Sequence, residues 1–293
     1  MPTPSEIVAA IEAKAQIERT PCADGEMPWR IWGHGVPVVL LHGGSGSWTH
    51  WIRNVEPLST HYKVIAADLP GLGDAAALPK PYTAQQACRI TSDGLVSLLA
   101  YEGFHLVAFS WGCTVATIVA AQLGARVRSL TLVGAAAMGA MPRATRAKPL
   151  VKRRPGMTEE ELFELNRENL ARHMFYDREK IDDLAVYTQF ENTRRSRFNS
   201  PQFARSNLLF EAMQDVSAPL MAIWGEFDAP SHPDFEARRR RLAEVKPELE
   251  FHLIEDVGHW TQYEGADAFH ALLLEWLARH SGRGSGQTLR SEA

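Results

Sequence analysis

Short apolar runs alternate with longer amphipathic stretches along most of the chain. The apolar runs predict buried strands and the longer stretches predict helices, with strands at 36–42, 62–69, 104–110, 127–134, 219–225 and 249–255 and helices at 82–101, 111–124, 233–246 and 265–280. This alternation is typical of an α/β protein in which helices cover both faces of a parallel sheet. Residues 20–35 predict an antiparallel hairpin at the sheet edge, and the apolar spacing over residues 4–18 predicts a helix before it.

A segment without strand-like runs interrupts the alternation between residues 135 and 213. Its sequence reads as helices throughout, and an all-helical insertion between two strands predicts a cap over a site at the strand ends. The Gly- and Ser-rich ending predicts a disordered tail. The predicted organisation is therefore an N-terminal helical extension (1–20), an α/β core (21–134 and 214–280), a helical cap (135–213) and a tail (281–293).

The composition excludes several classes of protein. A formal net charge of −4 gives no basic footprint, so we expect no nucleic-acid partner. No apolar run approaches the roughly 18–20 residues that cross a bilayer, so we expect no membrane partner. The N-terminus lacks a secretory signal pattern, and the three cysteines are too few for a disulfide framework. The sequence therefore predicts a cytoplasmic protein.

Metal and nucleotide sites are not indicated by the motifs. There is no His-Glu-x-x-His or Cys-x-x-Cys pattern, and no Gly-x-Gly-x-x-Gly follows a predicted strand. We therefore expect no metal and no cofactor. The expected partner is a small-molecule substrate, and the sequence leaves a homodimer open.

Residues capable of chemistry follow four of the predicted strands, in the loops at 42–48, 110–113, 225–230 and 258–260. If the strands are parallel, these loops emerge at one edge of the sheet, so Ser110, Asp228 and His259 can converge. A serine hydroxyl is a poor nucleophile until an imidazole takes its proton, and a carboxylate must hold that imidazole in the right tautomer. The three residues therefore predict a catalytic triad.

Backbone N–H groups are needed beside such a serine to stabilise a developing oxyanion. The sequence predicts that Trp111, which follows Ser110, supplies one of them and that Gly44 in the Gly-rich loop supplies the other. His42 and Asp68 are interpreted as residues that order loops. Trp48, Phe109 and Trp260 are candidates for a substrate pocket or for ordinary core.

The segments "LLHGGSG", "ADLPGLGD", "LVAFSWG", "IWGEFDAP" and "EDVGHW" together resemble the α/β-hydrolase family over residues 27–280. The triad order of serine, acid and histidine also belongs to that fold. The resemblance implies Ser110 as nucleophile, Asp228 as acid, His259 as base and no cofactor. It also implies a mostly parallel sheet of about eight strands with a helical cap.

Within the family, "GHWTQYEGADAFHALLLEWL" resembles the meta-cleavage-product hydrolases, which cut carbon–carbon bonds in ring-fission products. Trp260 matches the tryptophan after their catalytic histidine. The residues around the nucleophilic serine differ from those of that subgroup, because Phe109 and Trp111 flank Ser110 here. Gln189 aligns with the subgroup's arginine for the substrate carboxylate, and the nearby Arg194, Arg195 or Arg197 are possible replacements.

Two other subgroups share part of the pattern. "HGG" followed by "SWG" is similar to proline iminopeptidases, and Phe109 resembles esterases and perhydrolases. The sequence thus predicts a serine hydrolase of a small, largely apolar carbonyl compound, either an ester or a carbon–carbon bond next to a ketone. The alternatives are a meta-cleavage-product hydrolase specifically, an iminopeptidase-like enzyme, or a hydrolase-fold protein that binds a ligand without catalysis.

Overall fold

The computed structural model describes residues 1–142 and 144–282, and in this part of the chain eight strands form a single sheet. The strands are β1 (Gln16–Cys22), β2 (Gly25–Trp32), β3 (Pro37–Leu41), β4 (Lys63–Ala67), β5 (Phe104–Phe109), β6 (Val127–Val133), β7 (Leu220–Gly225) and β8 (Glu250–Ile254). Their order is β1-β2-β4-β3-β5-β6-β7-β8, antiparallel across β1-β2 and β2-β4 and parallel elsewhere. The predicted fold class, including the edge hairpin, is confirmed.

Ten α-helices accompany the sheet in the described ranges, together with four short 3₁₀ segments. The helices are α1 (Pro4–Glu12), α2 (Val55–Ser59), α3 (Ala84–Leu99), α4 (Trp111–Leu123), α5 (Glu159–His173), α6 (Asp183–Arg194), α7 (Leu208–Met213), α8 (Phe235–Ala243), α9 (Thr261–Glu264) and α10 (Ala266–Ser281); the 3₁₀ segments are Trp48–Trp51, Gly124–Arg126, Arg178–Lys180 and Ser200–Phe203.

Local chemistry sets where these helices begin and end. Helix α3 begins after Thr83, whose Oγ1 accepts the Gln86 N–H while the Gln86 side chain accepts the Thr83 N–H. Helix α1 ends at Glu12, earlier than the predicted helix over 4–18, because residues from Gln16 onward pair with β2 as strand β1. The tail predicted over 281–293 begins too early, because Ser281 still belongs to α10, and its residues from 283 onward lie outside the described part of the chain.

Two apolar layers cover the two faces of the sheet. Strands β3, β5 and β7 are buried along their whole length, as expected for central parallel strands with helices on both sides. Helices α3, α4 and α7 contribute to one layer, and α2, α9 and α10 to the other. No helix in residues 1–142 or 144–282 has the length and apolar character required to cross a membrane.

Helices α5 and α6 pack against each other in the 135–213 segment, and α7 packs on α4 instead. Hydrogen bonds tie this segment to the core: the Ser47 hydroxyl donates to Asn192 Oδ1 at 2.7 Å, and the Arg195 guanidinium contacts Asp74 Oδ1 at 2.8 Å. The Arg197 guanidinium donates to the carbonyls of Gly73 and Ala75. These contacts fix the segment over the carboxyl ends of the strands.

Three buried histidines make folding stability depend on pH. Burial lowers the pKa of His42 and His50 below 6.5 and that of His105 to about 3. Below about pH 6.5 the unfolded chain therefore binds protons that the folded chain does not, so stability is full above that pH and falls as the pH is lowered. Urea unfolding at pH 7.5, 6 and 5 should show the free energy of unfolding falling by up to about 1.4 kcal/mol per pH unit for each histidine.

The variants His105→Gln and His61→Gln separate this effect from a general acid response. His105 is fully buried, with hydrogen bonds to Ser129 and Ser281, whereas His61 is exposed. His105→Gln should therefore have a shallower pH dependence of stability, and His61→Gln should match the wild type. An unchanged stability between pH 7.5 and 5 would contradict the assignment.

Candidate active site

Ser110 occupies a sharp bend between β5 and α4. Its backbone has φ 51° and ψ −113°, a strained region that a non-glycine residue rarely adopts outside functional sites. Close packing around the bend requires glycine. A Cβ at Gly112 would lie 2.5 Å from the Leu41 carbonyl oxygen, and one at Gly43 would lie 2.9 Å from the Phe109 ring. The small residues of "AFSWG" and "HGG" therefore allow the bend to pack against the end of β3.

A chain of hydrogen bonds runs from this serine into the core. The Ser110 Oγ lies 3.1 Å from His259 Nε2, and His259 Nδ1 lies 2.5 Å from Asp228 Oδ2. Asp228 is fully buried and His259 is 3% exposed. The carboxylate beside Nδ1 favours the tautomer with its proton on Nδ1, which leaves Nε2 to accept the serine proton. Gly134 makes room for the imidazole, because a Cβ there would lie 2.8 Å from His259 Cε1.

The two predicted oxyanion donors lie near each other beside Ser110. Gly44 and Trp111 both line the same cavity, and a Cβ built on Gly44 would lie 3.8 Å from Trp111 Cβ. The same Cβ would lie 2.1 Å from Ser200 Oγ, so any larger residue would displace this cap serine. Neither backbone N–H donates a hydrogen bond to another group in the described part of the chain. Both donors are therefore available to a bound molecule.

Buried polar side chains order the loop that carries Gly44. His42 Nε2 accepts the Leu69 N–H at 2.9 Å, and Asp68 Oδ1 accepts the Trp48 N–H at 2.8 Å. The Asp68 carboxylate is in turn held by Arg30 at 3.0 Å. These contacts agree with the interpretation that His42 and Asp68 hold the loop in shape.

A cavity of about 1210 Å³ opens between the sheet edge and the cap. Of the predicted site residues, six line it: Gly44, Phe109, Ser110, Trp111, Gln189 and His259. Trp48 and Trp260 do not line the cavity. Trp48 packs against Trp32 with ring centroids 5.4 Å apart, and Trp260 is fully buried with its Nε1 donating to the His50 carbonyl. Of the two roles that the sequence left open for them, the structure thus places both tryptophans in the core.

Comparison with protein families agrees with this architecture. The model of a family described as "Alpha/beta hydrolase family" matches residues 38–272, most of the chain. The chain belongs to the alpha/beta hydrolase family. It is accordingly a hydrolase, as the sequence predicted.

Curated relatives of this alpha/beta hydrolase include enzymes of aromatic degradation. The chain is 26% identical to a 2-hydroxy-6-oxononadienedioate/2-hydroxy-6-oxononatrienedioate hydrolase of Pseudomonas putida, over 82% of this chain and 87% of that protein. It is also 26% identical to a 2-hydroxy-6-oxo-6-phenylhexa-2,4-dienoate hydrolase of Burkholderia cepacia, over 84% and 89%.

Solved structures share the fold with this hydrolase. A meta-cleavage product hydrolase from Pseudomonas fluorescens IP01 superposes with a TM-score of 0.71 at 23% identity, covering 91% of this chain and 99% of that one. A thermophilic esterase from Thermogutta terrifontis gives 0.67 at 23% identity, covering 91% and 100%. The same fold is thus shared with an esterase and with a meta-cleavage product hydrolase.

His173 and Glu264 of this hydrolase were not singled out from the sequence. The His173 ring, at the end of α5, lines the cavity and lies edge-on to the His259 ring at 5.5 Å between centroids. Burial and the neighbouring His259 lower its pKa to about 4, so it is neutral at neutral pH. Glu264 accepts the backbone N–H of Gly258 at 2.7 Å and that of Asp177 at 2.8 Å, and so links the histidine loop to the cap.

The sequence gives only a weak signal for these two residues. Glu264 lies only five residues after His259, whereas nothing local marks His173, which reaches the site only through the packing of the cap.

The three cap arginines near Gln189 have different environments. Arg194 lines the cavity and pairs with Glu191 at 2.6 Å. Arg195 and Arg197 are engaged with the loop after β4 and do not line the cavity. Gln189 itself lines the cavity, and its Oε1 is buried without a hydrogen-bond partner in the described chain. The cap therefore offers Gln189 and Arg194 to a bound molecule.

In residues 1–142 and 144–282, no group of three or more His, Cys, Asp or Glu side chains is placed to hold a metal ion.

Proposed function

We propose that this protein is a serine hydrolase in which Ser110 attacks the carbonyl carbon of a small substrate. The observation that carries the proposal is the hydrogen-bond chain from Ser110 through His259 to Asp228 at the wall of a large cavity. Each side chain has the neighbour that its role requires: a base beside the hydroxyl and a buried carboxylate beside the base.

The reaction follows from this arrangement in two halves. His259 Nε2 takes the Ser110 proton as Oγ bonds to the carbonyl carbon, and the N–H groups of Gly44 and Trp111 stabilise the oxyanion. Each such donor is worth roughly 10²–10³-fold in rate. The imidazolium then protonates the leaving group and an acyl-enzyme remains. Water, deprotonated by His259, attacks the acyl carbon and releases the carboxylic acid together with free Ser110.

The cavity wall supports a small, largely apolar substrate. Met138, Met141, Leu162 and Leu165 line it together with several alanines. Phe109 confines the space at the reaction centre, since its ring lies 4.9 Å from the His259 ring. A carboxylic ester, or a carbon–carbon bond next to a ketone, places a carbonyl group where Ser110 can attack.

A second candidate function is the hydrolysis of meta-cleavage products specifically. It is favoured by the names of the curated relatives, which match this chain over more than four fifths of its length. Against it, Gln189 and not an arginine lines the cavity at the cap position that the sequence resemblance identified. We therefore place the hydrolysis of meta-cleavage products second to the general hydrolysis of small carbonyl compounds.

A peptidase with proline iminopeptidase character receives no support from the cavity. A protonated N-terminal amine is best neutralised by a carboxylate, and the described residues that line the cavity include neither Asp nor Glu. We also propose a cytoplasmic location, which agrees with three unpaired cysteines that are all buried.

A substrate panel tests the proposal. We expect the protein to hydrolyse a short-chain aryl ester, and the panel also contains 2-hydroxy-6-oxo-dienoates, lactones and N-terminal proline peptides. Strong turnover of dienoates with negligible ester hydrolysis would establish the second candidate instead. Absence of turnover for every carbonyl compound in the panel, by folded protein, would contradict the proposal and support a ligand-binding role.

A further inference from the structure

A buried arginine lines the cavity and forms no ion pair within the described residues. Arg238, on α8, is only 5% exposed. Its Nη1 donates to the Asp234 carbonyl at 2.9 Å, but its Nε has no hydrogen-bond partner among the described residues. In the described chain no carboxylate forms an ion pair with it, whereas Arg30, the other arginine that is almost fully buried, contacts three carboxylates.

Burial of an unpaired guanidinium destabilises the folded protein unless an anion pairs with it. An arginine stays protonated near neutral pH, and a buried guanidinium without an anionic partner loses hydration that nothing replaces. The carboxylates of Asp228 and Asp234 attract Arg238 only at longer range, and neither forms an ion pair with it in the described chain; His259 engages Oδ2 of Asp228, while Oδ1 has no hydrogen-bond partner there. No described side chain places a negative charge at hydrogen-bonding distance from Arg238. An anionic group of a ligand in the cavity would supply that charge.

The charges along the whole cavity wall also favour an anionic ligand. The described residues that line it include four arginines, namely Arg153, Arg194, Arg205 and Arg238, and no Asp or Glu. Arg194 is paired with Glu191, and Arg153 and Arg205 are exposed without ion pairs in the described residues. A concave wall of one sign raises the local concentration of oppositely charged molecules. The cavity therefore favours anions along its length and binds them most firmly at its buried arginine.

We propose that Arg238 binds an anionic group of the substrate, so that the preferred substrate is an acyl compound carrying a carboxylate away from the carbonyl that Ser110 attacks. This inference rests on the proposed function of Ser110. Arg238 lines the cavity together with Pro230 and Ser231, in the loop that follows Asp228. The anion is thus bound on the β7 side of the cavity by the core, separately from the side chains that the cap provides.

Matched ester pairs test this directly. Mono-p-nitrophenyl adipate and suberate each carry one free carboxylate, and their methyl esters are neutral compounds of nearly the same shape. Wild-type protein should prefer the anionic member of at least one pair by roughly 10- to 100-fold in kcat/KM, the range expected for a charge-assisted hydrogen bond. Arg238→Gln should abolish that preference mainly through a higher KM for the anionic ester.

Two further variants distinguish loss of the anion site from loss of folding. Arg238→Lys keeps the charge and should retain part of the preference. Arg240→Gln changes an exposed arginine on the same helix that has no ion pair in the described chain, and it should behave as the wild type. Absence of an anion preference in the wild type, or an unchanged preference in folded Arg238→Gln, would overturn the inference.

Binding to a catalytically inactive background separates this inference from the proposed function. Titration calorimetry with adipate, suberate, sulfate and inorganic phosphate on Ser110→Ala should show dicarboxylate binding that Arg238→Gln weakens by a similar factor. If no ester is hydrolysed yet this binding depends on Arg238, the proposed function fails and the anion site stands. If esters are hydrolysed but binding does not depend on Arg238, or only the inorganic anions bind, the anion site as proposed fails.

Discussion

Replacement of Ser110 by alanine is expected to lower kcat for a short aryl ester by at least about 10⁴-fold. Without Oγ there is no atom to form the acyl-enzyme, and water must attack the bound ester directly. The oxyanion donors and the cavity remain, so KM should change little. The measurement is steady-state release of p-nitrophenol, with enzyme concentrations high enough to detect the residual rate.

The same substitution should leave the fold intact. Alanine keeps the Cβ, so the strained backbone at φ 51° is no more costly than in the wild type. Thermal unfolding of Ser110→Ala should therefore match that of the wild type. Ser92→Ala, which removes a buried hydroxyl from α3 away from the cavity, is the matched control and should retain full activity. Substantial turnover by Ser110→Ala would show that another group is the nucleophile.

Asp228→Asn is expected to lower kcat by roughly 10³- to 10⁴-fold. A neutral amide stabilises the imidazolium of His259 poorly, and it can present an N–H to Nδ1 and so reverse the tautomer. The substitution preserves size at a fully buried position, where the carboxylate lies 2.5 Å from His259 Nδ1. Activity should be measured across pH 6–9 to distinguish a lower rate from a shifted profile.

Asp234→Asn provides the matched control for this change. Asp234 caps α8 by accepting the Ala237 N–H at 2.9 Å, and asparagine caps helices about as well. The control should therefore keep both stability and activity. Equal losses in the two variants would indicate a general effect on the loop after β7 and would count against the role of Asp228 in the triad.

Much of the fold could be predicted because its signals are local. Fully apolar runs such as residues 38–41 favour strands covered on both faces, and their alternation with amphipathic helices indicates a parallel sheet. Parallel strands bring their following loops to one edge, which is why Ser110, Asp228 and His259 could be expected to lie together despite their separation in sequence.

The remaining features depend on packing that no local pattern encodes. The sequence around Trp48 and Trp260 fits a residue that lines a cavity as well as one that fills the core. Only the assembled structure separates the two roles. His173 reaches the site through the placement of the cap, and Arg238 through the face that α8 turns towards the cavity. In the basic run "EARRRR", nothing distinguishes Arg238 from its exposed neighbours Arg239 and Arg240.

Covalent labelling with a fluorophosphonate tests the central claim most directly, since the reagent reacts with a serine activated by a neighbouring base. The account predicts one adduct in the intact mass of the full chain, which peptide mapping places on Ser110. It also predicts no adduct in Ser110→Ala and much slower labelling in His259→Ala. Folded wild-type protein that fails to react, or Ser110→Ala that reacts equally well, would contradict the assignment of Ser110 as the nucleophile.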